Sequence, residues 1–322
     1  MRSLRSLALL GLYVGAQVVA LVLAAPFKSA GLASTSNPNN PTDPLYIIVL
    51  IVIVPLPIIY LATRKGGPAF LRGLILTGIS ASLFITLQAA LALVVPPPFF
   101  LGNSAAGLLA DWSVPLAGSI AVTFLLALAI EPQWYVVDLV GFVAAGSLTA
   151  LLGISFGILP TFILLIALMV YDAIAVYGTK HMITLADVVT EMKVPILLVM
   201  PASRGFDYTT SGSLKDQQAK PREEREAMFM GLGDIVIPGT LVVSAFISLP
   251  SRAFAFGIGG NLLAAIGALL GSLVGYFLLI RLVNKGNAQA GLPFLNGGAL
   301  AGYAVTYLLV FHNPSLGLQL AL

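Results

Sequence analysis

The stretch AMFMGLGDIVIPGT (227–240) places one carboxylate, that of Asp234, inside an otherwise apolar segment. A carboxylate within a membrane is costly, and such residues usually face the interior of a helix bundle, a water-filled cavity or a partner group. Gly231 and Gly233 precede it, and glycine is kept where a backbone or a ligand must approach closely. The stretch therefore predicts a functional carboxylate, and its partner has to be found elsewhere in the chain.

The composition predicts that this stretch belongs to a helical membrane protein. The chain has 322 residues, of which 58% are hydrophobic and 9% are charged, and its mean hydropathy is +1.00. Apolar runs of about 18 residues or more are typical of membrane-spanning helices. We predict an all-α polytopic membrane protein with nine transmembrane helices, at residues 7–25, 45–62, 70–95, 108–130, 134–155, 159–178, 226–248, 255–281 and 291–312.

The basic residues indicate an orientation, because cytoplasmic loops of membrane proteins are enriched in Lys and Arg. With nine spans and a cytoplasmic N-terminus, 14 of the 16 basic residues fall on the inner side, and only Lys28 and Arg252 fall outside. The C-terminus then lies outside. The chain divides into spans one to six (1–178), a cytoplasmic loop (179–225) and spans seven to nine (226–322).

The predicted cytoplasmic loop has two different halves. Residues 183–200 are half apolar and are expected to lie along the membrane surface or to pack on the bundle. Residues 203–226 are polar and are expected to be mobile. In the eighth span, Gly267, Gly271 and Gly275 are spaced four apart, which predicts a ridge for close helix packing.

A second carboxylate, Asp172 in LLIALMVYDAIAVYG (164–178), is the predicted partner of Asp234. Asp172 lies eight residues before Lys180, and Asp234 lies eight residues after Glu226, the nearest charges on the inner side. At about 1.5 Å per helical residue, both carboxylates would lie roughly 12 Å inside the same face of the membrane. When two carboxylates share a site, one can act as a base and the other as an acid.

A paired acid and base is the arrangement that activates water for attack on a peptide carbonyl. The depth of the two residues alone leaves two alternatives open, a protonated packing pair and a proton relay. Asp138, near the inner start of the fifth span, can reach the interface and is assigned a structural role.

Two short motifs narrow these alternatives. YD (171–172) and GLGD (231–234), in this order on consecutive spans, resemble the catalytic motifs of the presenilin and signal peptide peptidase family of intramembrane aspartyl proteases. That family also has nine spans, with its aspartates in the sixth and seventh. The resemblance covers the chain in span order and implies a microbial presenilin homologue in which Asp172 and Asp234 are catalytic.

The third motif of that family, Pro-Ala-Leu followed by Pro, corresponds to QAGLPFLNGG (289–298). Ala290, Gly291 and Leu292 stand here for Pro-Ala-Leu, and Pro293 follows them. Because proline disfavours helical geometry at the residue before it, residues 290–292 are expected to be extended. Such a piece could hold an unwound substrate by strand addition, and an ordinary helix start is the alternative.

The predicted site therefore has two catalytic aspartates and a set of residues that shape it or bind substrate. The latter are Tyr171, Gly231, Leu232, Gly233, Ala290, Gly291, Leu292 and Pro293. Tyr171 is expected either to hydrogen-bond near the aspartates or to pack between helices. No metal or cofactor is expected, since the chain has no cysteine and two histidines, and no nucleotide-binding motif occurs.

The predicted function is hydrolysis of peptide bonds within transmembrane segments, at the cell membrane, by a multi-pass enzyme. Its partners would be transmembrane peptide substrates and membrane lipid, with a homo-oligomer left open and no nucleic acid. A proton- or ion-coupled transporter is the main alternative, because carboxylate pairs also mark transport routes. No internal repeat favours a transporter. A prepilin-type peptidase is a further alternative, although its characteristic soluble loop near the N-terminus is missing here.

Overall fold

The structure, a computed structural model, describes residues 2–94, 103–179, 181–203, 205–212, 224–254, 257–283 and 289–318. Two strands, β1 (Leu197–Pro201) and β2 (Ala227–Gly231), form an antiparallel sheet. The helices are α1 (Arg2–Ser29), α2 (Asp43–Ile53), α3 (Pro55–Ala62), α4 (Gly67–Val94), α5 (Asn103–Ile130), α6 (Trp134–Ser155), α7 (Ile158–Ala173), α8 (His181–Glu191), α9 (Gly233–Ser248), α10 (Gly260–Val283) and α11 (Leu292–Phe311).

Most of the chain is helical, and the apolar helices run in the predicted order. Within the described residues, seven helical segments are long and apolar enough to cross a membrane, with α2 and α3 counted together as Asp43–Ala62. Two shorter apolar helices, Val114–Ile130 and Gly233–Ser248, lie at the positions of the predicted fourth and seventh spans. The multi-span helical architecture is thus confirmed.

Proline interrupts the second span. α2 ends at Ile53 and α3 begins at Pro55, because proline has no backbone N–H to donate to the preceding turn and its ring crowds that turn. The two halves carry many exposed apolar side chains, such as Leu50 and Leu56, as expected for a surface that faces lipid.

Helix α9 is the centre of the bundle. Every residue from Ile235 to Ala245 is buried, and α9 packs against α1, α6, α7, α10 and α11.

Helices α10 and α11 lie against each other through glycine. A Cβ on Gly271 would lie 2.1 Å from the carbonyl oxygen of Gly298, so only glycine fits at this crossing. The predicted packing ridge in the eighth span is therefore confirmed.

The small sheet differs from the all-α prediction. β1 and β2 pair antiparallel, with Leu197 opposite Gly231 and Pro201 opposite Ala227. The predicted seventh span, 226–248, was wrong at its start, since residues 227–231 are a strand and α9 begins at Gly233. A short apolar run next to a helix has no periodicity of its own, so its pairing with a strand about 30 residues away overrides the helical interpretation.

The first half of the predicted cytoplasmic loop packs on the bundle. α8 and β1 join the ends of α4, α5 and α6 in a second hydrophobic core, which includes Leu71, Leu128, Val140, Val189 and Val199. Tyr208 is fully buried in the same core. The predicted mobile segment 203–226 therefore has an ordered, packed part at its start, while residues 213–223 of that segment lie outside the described residues.

Candidate active site

Asp172 lies in the last turn of α7, where the helix changes its winding. α7 ends at Ala173 and continues as a π-helical turn over Ile174–Gly178, and such turns often occur at functional sites. Asp172 is 7% exposed, and its Oδ2 accepts a hydrogen bond of 3.0 Å from the backbone N–H of Leu292. The carboxylate is therefore buried and held by the start of α11.

Asp234 lies in the first turn of α9 and is partly exposed. The N–H groups at the start of a helix lack partners within the helix, and together with the helix dipole they favour a negative charge there. β2 ends at Gly231, directly before this turn. The sheet and α9 thus meet at Asp234, so the strand-to-helix junction sets the position of its carboxylate.

The two carboxylates converge on one short piece of backbone. A Cβ on Gly291 would lie 2.9 Å from Oδ1 of Asp234 and 3.3 Å from its Oδ2, while the next residue, Leu292, donates its N–H to Asp172. Asp172 and Asp234 are close enough to interact electrostatically. Side chains from α7 and α9 therefore meet at the N-terminus of α11, although they are 62 residues apart in the sequence.

The predicted depth of Asp234 requires a continuous helix from Glu226 to Asp234, and this prediction was wrong. Residues 227–231 form β2, and α9 begins at Gly233, one residue before Asp234. The two residues come together because β2 ends, and α9 begins, beside the end of α7.

Gly291 and Leu292 are not extended, contrary to the prediction for residues 290–292. Gly291 has helical backbone angles, φ −79° and ψ −46°, and α11 already includes Leu292. Pro293 lies in the first turn, where its missing N–H would have no helical partner and is therefore tolerated. Ala290 is fully buried. Gly291 and Leu292 form the ordinary helix start that the sequence left open, and their N–H groups face Asp172.

The residues of the GLGD motif have different surroundings. A Cβ on Gly231 would be in ordinary van der Waals contact with Asp234, 3.5 Å from Oδ2, and a Cβ on Gly233 would meet nothing within 4 Å. Leu232 is buried and packs in the main core. The close approach predicted at Gly231 and Gly233 occurs instead at Gly291, while Gly233 leaves open space next to Asp234.

Two tyrosines flank Asp172 and have different roles. The Tyr171 hydroxyl donates a 3.4 Å hydrogen bond to the carbonyl of Ile51 in α2, and Tyr171 is also close enough to Asp172 to interact with it electrostatically. Tyr177, which the sequence analysis missed, donates to Gln289 Oε1 at 2.9 Å and accepts from the backbone N–H of Ala290 at 3.2 Å. Tyr177 thus ties the segment before α11 to the π-helical turn. The position of Tyr177 in the YDAIAVYG run does not predict this tertiary contact.

The site has the features of acid–base chemistry carried by side chains. Among the described residues, no group of three or more His, Asp or Glu side chains could hold a metal ion. Two carboxylates in electrostatic contact, one buried and one beside open space, are suited to activating a water molecule.

Comparisons with known proteins give the class. Residues 10–311 match the family described as signal-peptide peptidase, presenilin aspartyl protease. Two solved structures of a presenilin family intramembrane aspartate protease are similar, each at 30% identity. The one in space group C222 has a TM-score of 0.65 and covers 94% of this chain and 99% of its own. The one in space group P2 has a TM-score of 0.59, with 92% and 95% covered. The comparison with curated proteins gave no match.

The chain belongs to the signal peptide peptidase and presenilin family of aspartyl proteases. It is an intramembrane aspartic endopeptidase, so the predicted family and activity are confirmed, and the transporter alternative finds no support. It is a multi-pass membrane protein, and the substrates of such an enzyme are transmembrane segments.

Proposed function

We propose that Asp172 and Asp234 are the catalytic pair of this protease. We further propose that Gly231, Leu232, Gly233 and residues 290–293 shape the site, with Tyr171 supporting it from α7. The observation that carries the proposal is the convergence of both carboxylates on Gly291 and Leu292. Carboxylates inside a membrane protein are costly, and a pair of them held at one place indicates chemistry.

The reaction uses one aspartate as base and the other as acid. The ionised aspartate takes a proton from water while the water oxygen bonds to the carbonyl carbon, and the protonated aspartate gives its proton to the carbonyl oxygen. As the resulting diol collapses, the C–N bond breaks and the first aspartate gives its proton to the leaving nitrogen. A diol proton returns to the second aspartate, which restores the starting state.

The open edge of β2 is the surface proposed to receive the substrate backbone. The outer edge of β1 is covered by α6, because the Val199 N–H donates a 2.6 Å hydrogen bond to Oδ1 of Asp138. No further strand lies on β2 among the residues that the structure describes. An unwound substrate needs partners for its N–H and C=O groups within a membrane, and strand addition supplies them. Because β2 ends at Gly231, a strand added there leads to Asp234.

The finer membrane arrangement is also proposed. Seven long helices and the two shorter apolar helices, Val114–Ile130 and Gly233–Ser248, together make nine spans, with the N-terminus cytoplasmic and the C-terminus outside. Spans one to six (1–178) and seven to nine (226–322) are then joined by the cytoplasmic part 179–225. The distribution of 14 of the 16 basic residues supports this orientation. The protein is assigned to the cell membrane, surrounded by lipid, and a homo-oligomer is left open.

This orientation has a consequence for substrates. It is the orientation of presenilins rather than of signal peptide peptidases, so the preferred substrates are single spans whose N-termini lie outside. Reporter fusions at residues 179–225 and at the C-terminus test the arrangement. Reporters that find 179–225 outside would overturn it.

Inhibition and pH dependence test the catalytic pair. A peptide that carries a hydroxyl in place of the attacked carbonyl imitates the tetrahedral intermediate and should inhibit cleavage competitively. Since one carboxylate must be ionised and the other protonated, the cleavage rate should follow a bell-shaped curve with pH. A rate that keeps rising into alkaline pH, together with failure of the hydroxyl peptide to inhibit, contradicts the proposal.

A further inference from the structure

Three polar side chains beside the part of α9 that follows Asp234 are buried without well-formed hydrogen bonds. Tyr13 and Gln17 lie one turn apart on α1, and Thr149 lies on α6; all three are 0% exposed. The Tyr13 hydroxyl, the Gln17 amide nitrogen and oxygen, and Thr149 Oγ1 make no hydrogen bond of good geometry among the described residues. The Tyr13 hydroxyl has only weak hydrogen-bond contacts, with the side chains of Gln17 and Ser272. We call these three side chains the inner polar cluster.

The inner polar cluster runs along α9 away from Asp234. Tyr13 lies near Gln17 and Ser272 and within electrostatic reach of Asp234. A Cβ on Gly239 would lie 3.4 Å from both Gln17 Cγ and Thr149 Oγ1, so Gln17 and Thr149 flank this glycine. Gly239 is five residues after Asp234, which is about 7.5 Å along a helix. The cluster therefore connects the carboxylate with the interior of the bundle.

Unsatisfied polar groups at this depth are energetically unfavourable. A buried donor or acceptor without a partner destabilises the folded protein, and surrounding hydrocarbon offers no water to satisfy it. Gln17 alone presents two N–H donors and one acceptor oxygen. Buried water commonly makes about three hydrogen bonds to such otherwise unsatisfied groups.

We propose that the inner polar cluster binds ordered water and delivers it to Asp234. The inference rests on the proposed catalytic role of Asp234 and adds the source of the reacting water. Each peptide bond hydrolysed consumes one water molecule. A substrate bound on the open side of Asp234, next to Gly233, blocks the access of bulk water from that side. Water held by Tyr13, Gln17 and Thr149 lies behind the carboxylate and stays available. Tyr13, Gln17 and Thr149 are thus positioning residues for water.

Near-isosteric apolar variants test this role. Gln17→Met, Tyr13→Phe and Thr149→Val remove the polar groups and keep the packing volume. For Gln17→Met, kcat for a transmembrane peptide should fall roughly tenfold or more, with KM within about twofold and thermal stability equal or higher. The Tyr13→Phe and Gln17→Met losses should be less than additive when combined, because both act on the same water. Thr161→Val is the matched control, since Thr161 Oγ1 is also buried without a partner but lies 11 residues before Asp172; it should leave kcat unchanged.

A direct observation of water completes the test. In detergent, the ¹⁵N-labelled side-chain amide of Gln17 should show magnetisation transfer from water in the wild-type protein. A wild-type kcat in Gln17→Met overturns the proposal. The absence of magnetisation transfer from water to the Gln17 amide also overturns it. Because this second measurement uses the wild-type protein, it decides the question even where a variant loses stability. Asp234→Asn distinguishes failure of the water site from failure of the catalytic pair. If Asp234→Asn is inactive and Gln17→Met is fully active, only the water site is rejected. A cleaving Asp234→Asn rejects the catalytic pair.

Discussion

The backbone N–H of Leu292 donates a 3.0 Å hydrogen bond to Oδ2 of Asp172, 120 residues earlier in the chain. This bond ties the N-terminus of α11 to the end of α7, and it places Gly291 against the carboxylate of Asp234 on α9. The positions of three helices are therefore coupled at one contact. Changes at this contact should affect catalysis more than they affect the fold.

Removing the donor is the first test. Leu292→Pro deletes the N–H at the first helical position, where the fixed φ of proline is tolerated, and it also disfavours the helical angles of Gly291. A hydrogen bond to a charged group contributes about 1.5–3 kcal/mol, so kcat should fall roughly ten- to a hundredfold.

Leu292→Ala is the matched control for that change. It keeps the N–H, loses only side-chain packing, and should retain cleavage within a few-fold of wild type. Cleavage assays in detergent, with thermal unfolding alongside, separate the two effects. Equal activity of Leu292→Pro and wild type would show that the bond to Asp172 has no catalytic importance.

Side-chain volume at residue 291 should have a graded effect. A Cβ there would lie 2.9 Å from Oδ1 of Asp234, so Gly291→Ala requires a small rotation of a carboxylate at the end of its side chain. Alanine also stands at this position in the family motif, and we expect a loss of only a few-fold. Gly291→Val adds two further carbons beyond those of alanine, next to the carboxylate of Asp234. Because the carboxylate cannot rotate away from all of them, cleavage should be abolished. Cleavage by Gly291→Val at the Gly291→Ala rate would argue against tight packing at Asp234.

The glycine contact between α10 and α11 should matter for both stability and activity. A Cβ on Gly271 would lie 2.8 Å from the Cα of Gly302 and still closer to the Gly298 carbonyl. Gly271→Ala should therefore destabilise the protein by about 1–3 kcal/mol through overpacking. It should also lower the cleavage rate, because α11 carries Leu292. Thermal unfolding and cleavage rates measure the two effects.

Gly78→Ala provides the comparison for Gly271→Ala. Gly78 lies in α4, is exposed, and a Cβ there would meet nothing within 4 Å. Alanine should stabilise this helix by about 0.5–1 kcal/mol, with activity unchanged. If Gly271→Ala is as stable and active as Gly78→Ala, the tight α10–α11 contact is not needed.

The turn at Asp207 should respond to acid. The hydroxyl and N–H of Thr209 donate to Asp207 Oδ1 at 2.6 and 2.9 Å, and these bonds hold the pKa of Asp207 below its ordinary value. A lowered pKa in the folded state stabilises the turn above the ordinary pKa, and this stabilisation is lost as pH falls through the folded pKa. Hydrogen-exchange protection at residues 207–211 should decrease over that range. Asp207→Asn should show no such pH dependence, and equal pH dependence in both proteins would contradict this role.

The predictable parts of the protein were those with a local signal. Apolar runs predict the helices, and the motifs YD and GLGD indicate Asp172 and Asp234 from the sequence alone. The strand at 227–231 could not be read, because an apolar run that leads directly into α9 resembles a longer helix. Its pairing with Leu197–Pro201 depends on residues about 30 positions away.

Several details of the site depend on packing alone. Residue 292 was expected to be extended before Pro293, but the bond to Asp172 and the start of α11 decide its geometry instead. Tyr177 gives no sequence signal for its contact with Gln289, since the π-helical turn orients it. Asp138 is assigned a structural role by its position, and the structure gives the form of that role, since Asp138 is buried and accepts the Val199 N–H.

The most direct test of the catalytic pair is cleavage of a transmembrane peptide by the purified protein and by Asp172→Asn and Asp234→Asn. The amide of asparagine preserves size and tolerates burial but cannot exchange a proton during the reaction. Each variant should therefore keep wild-type thermal stability or exceed it and lose activity by roughly a thousandfold or more. Substantial cleavage by either variant, with the fold intact, would contradict the two-aspartate mechanism.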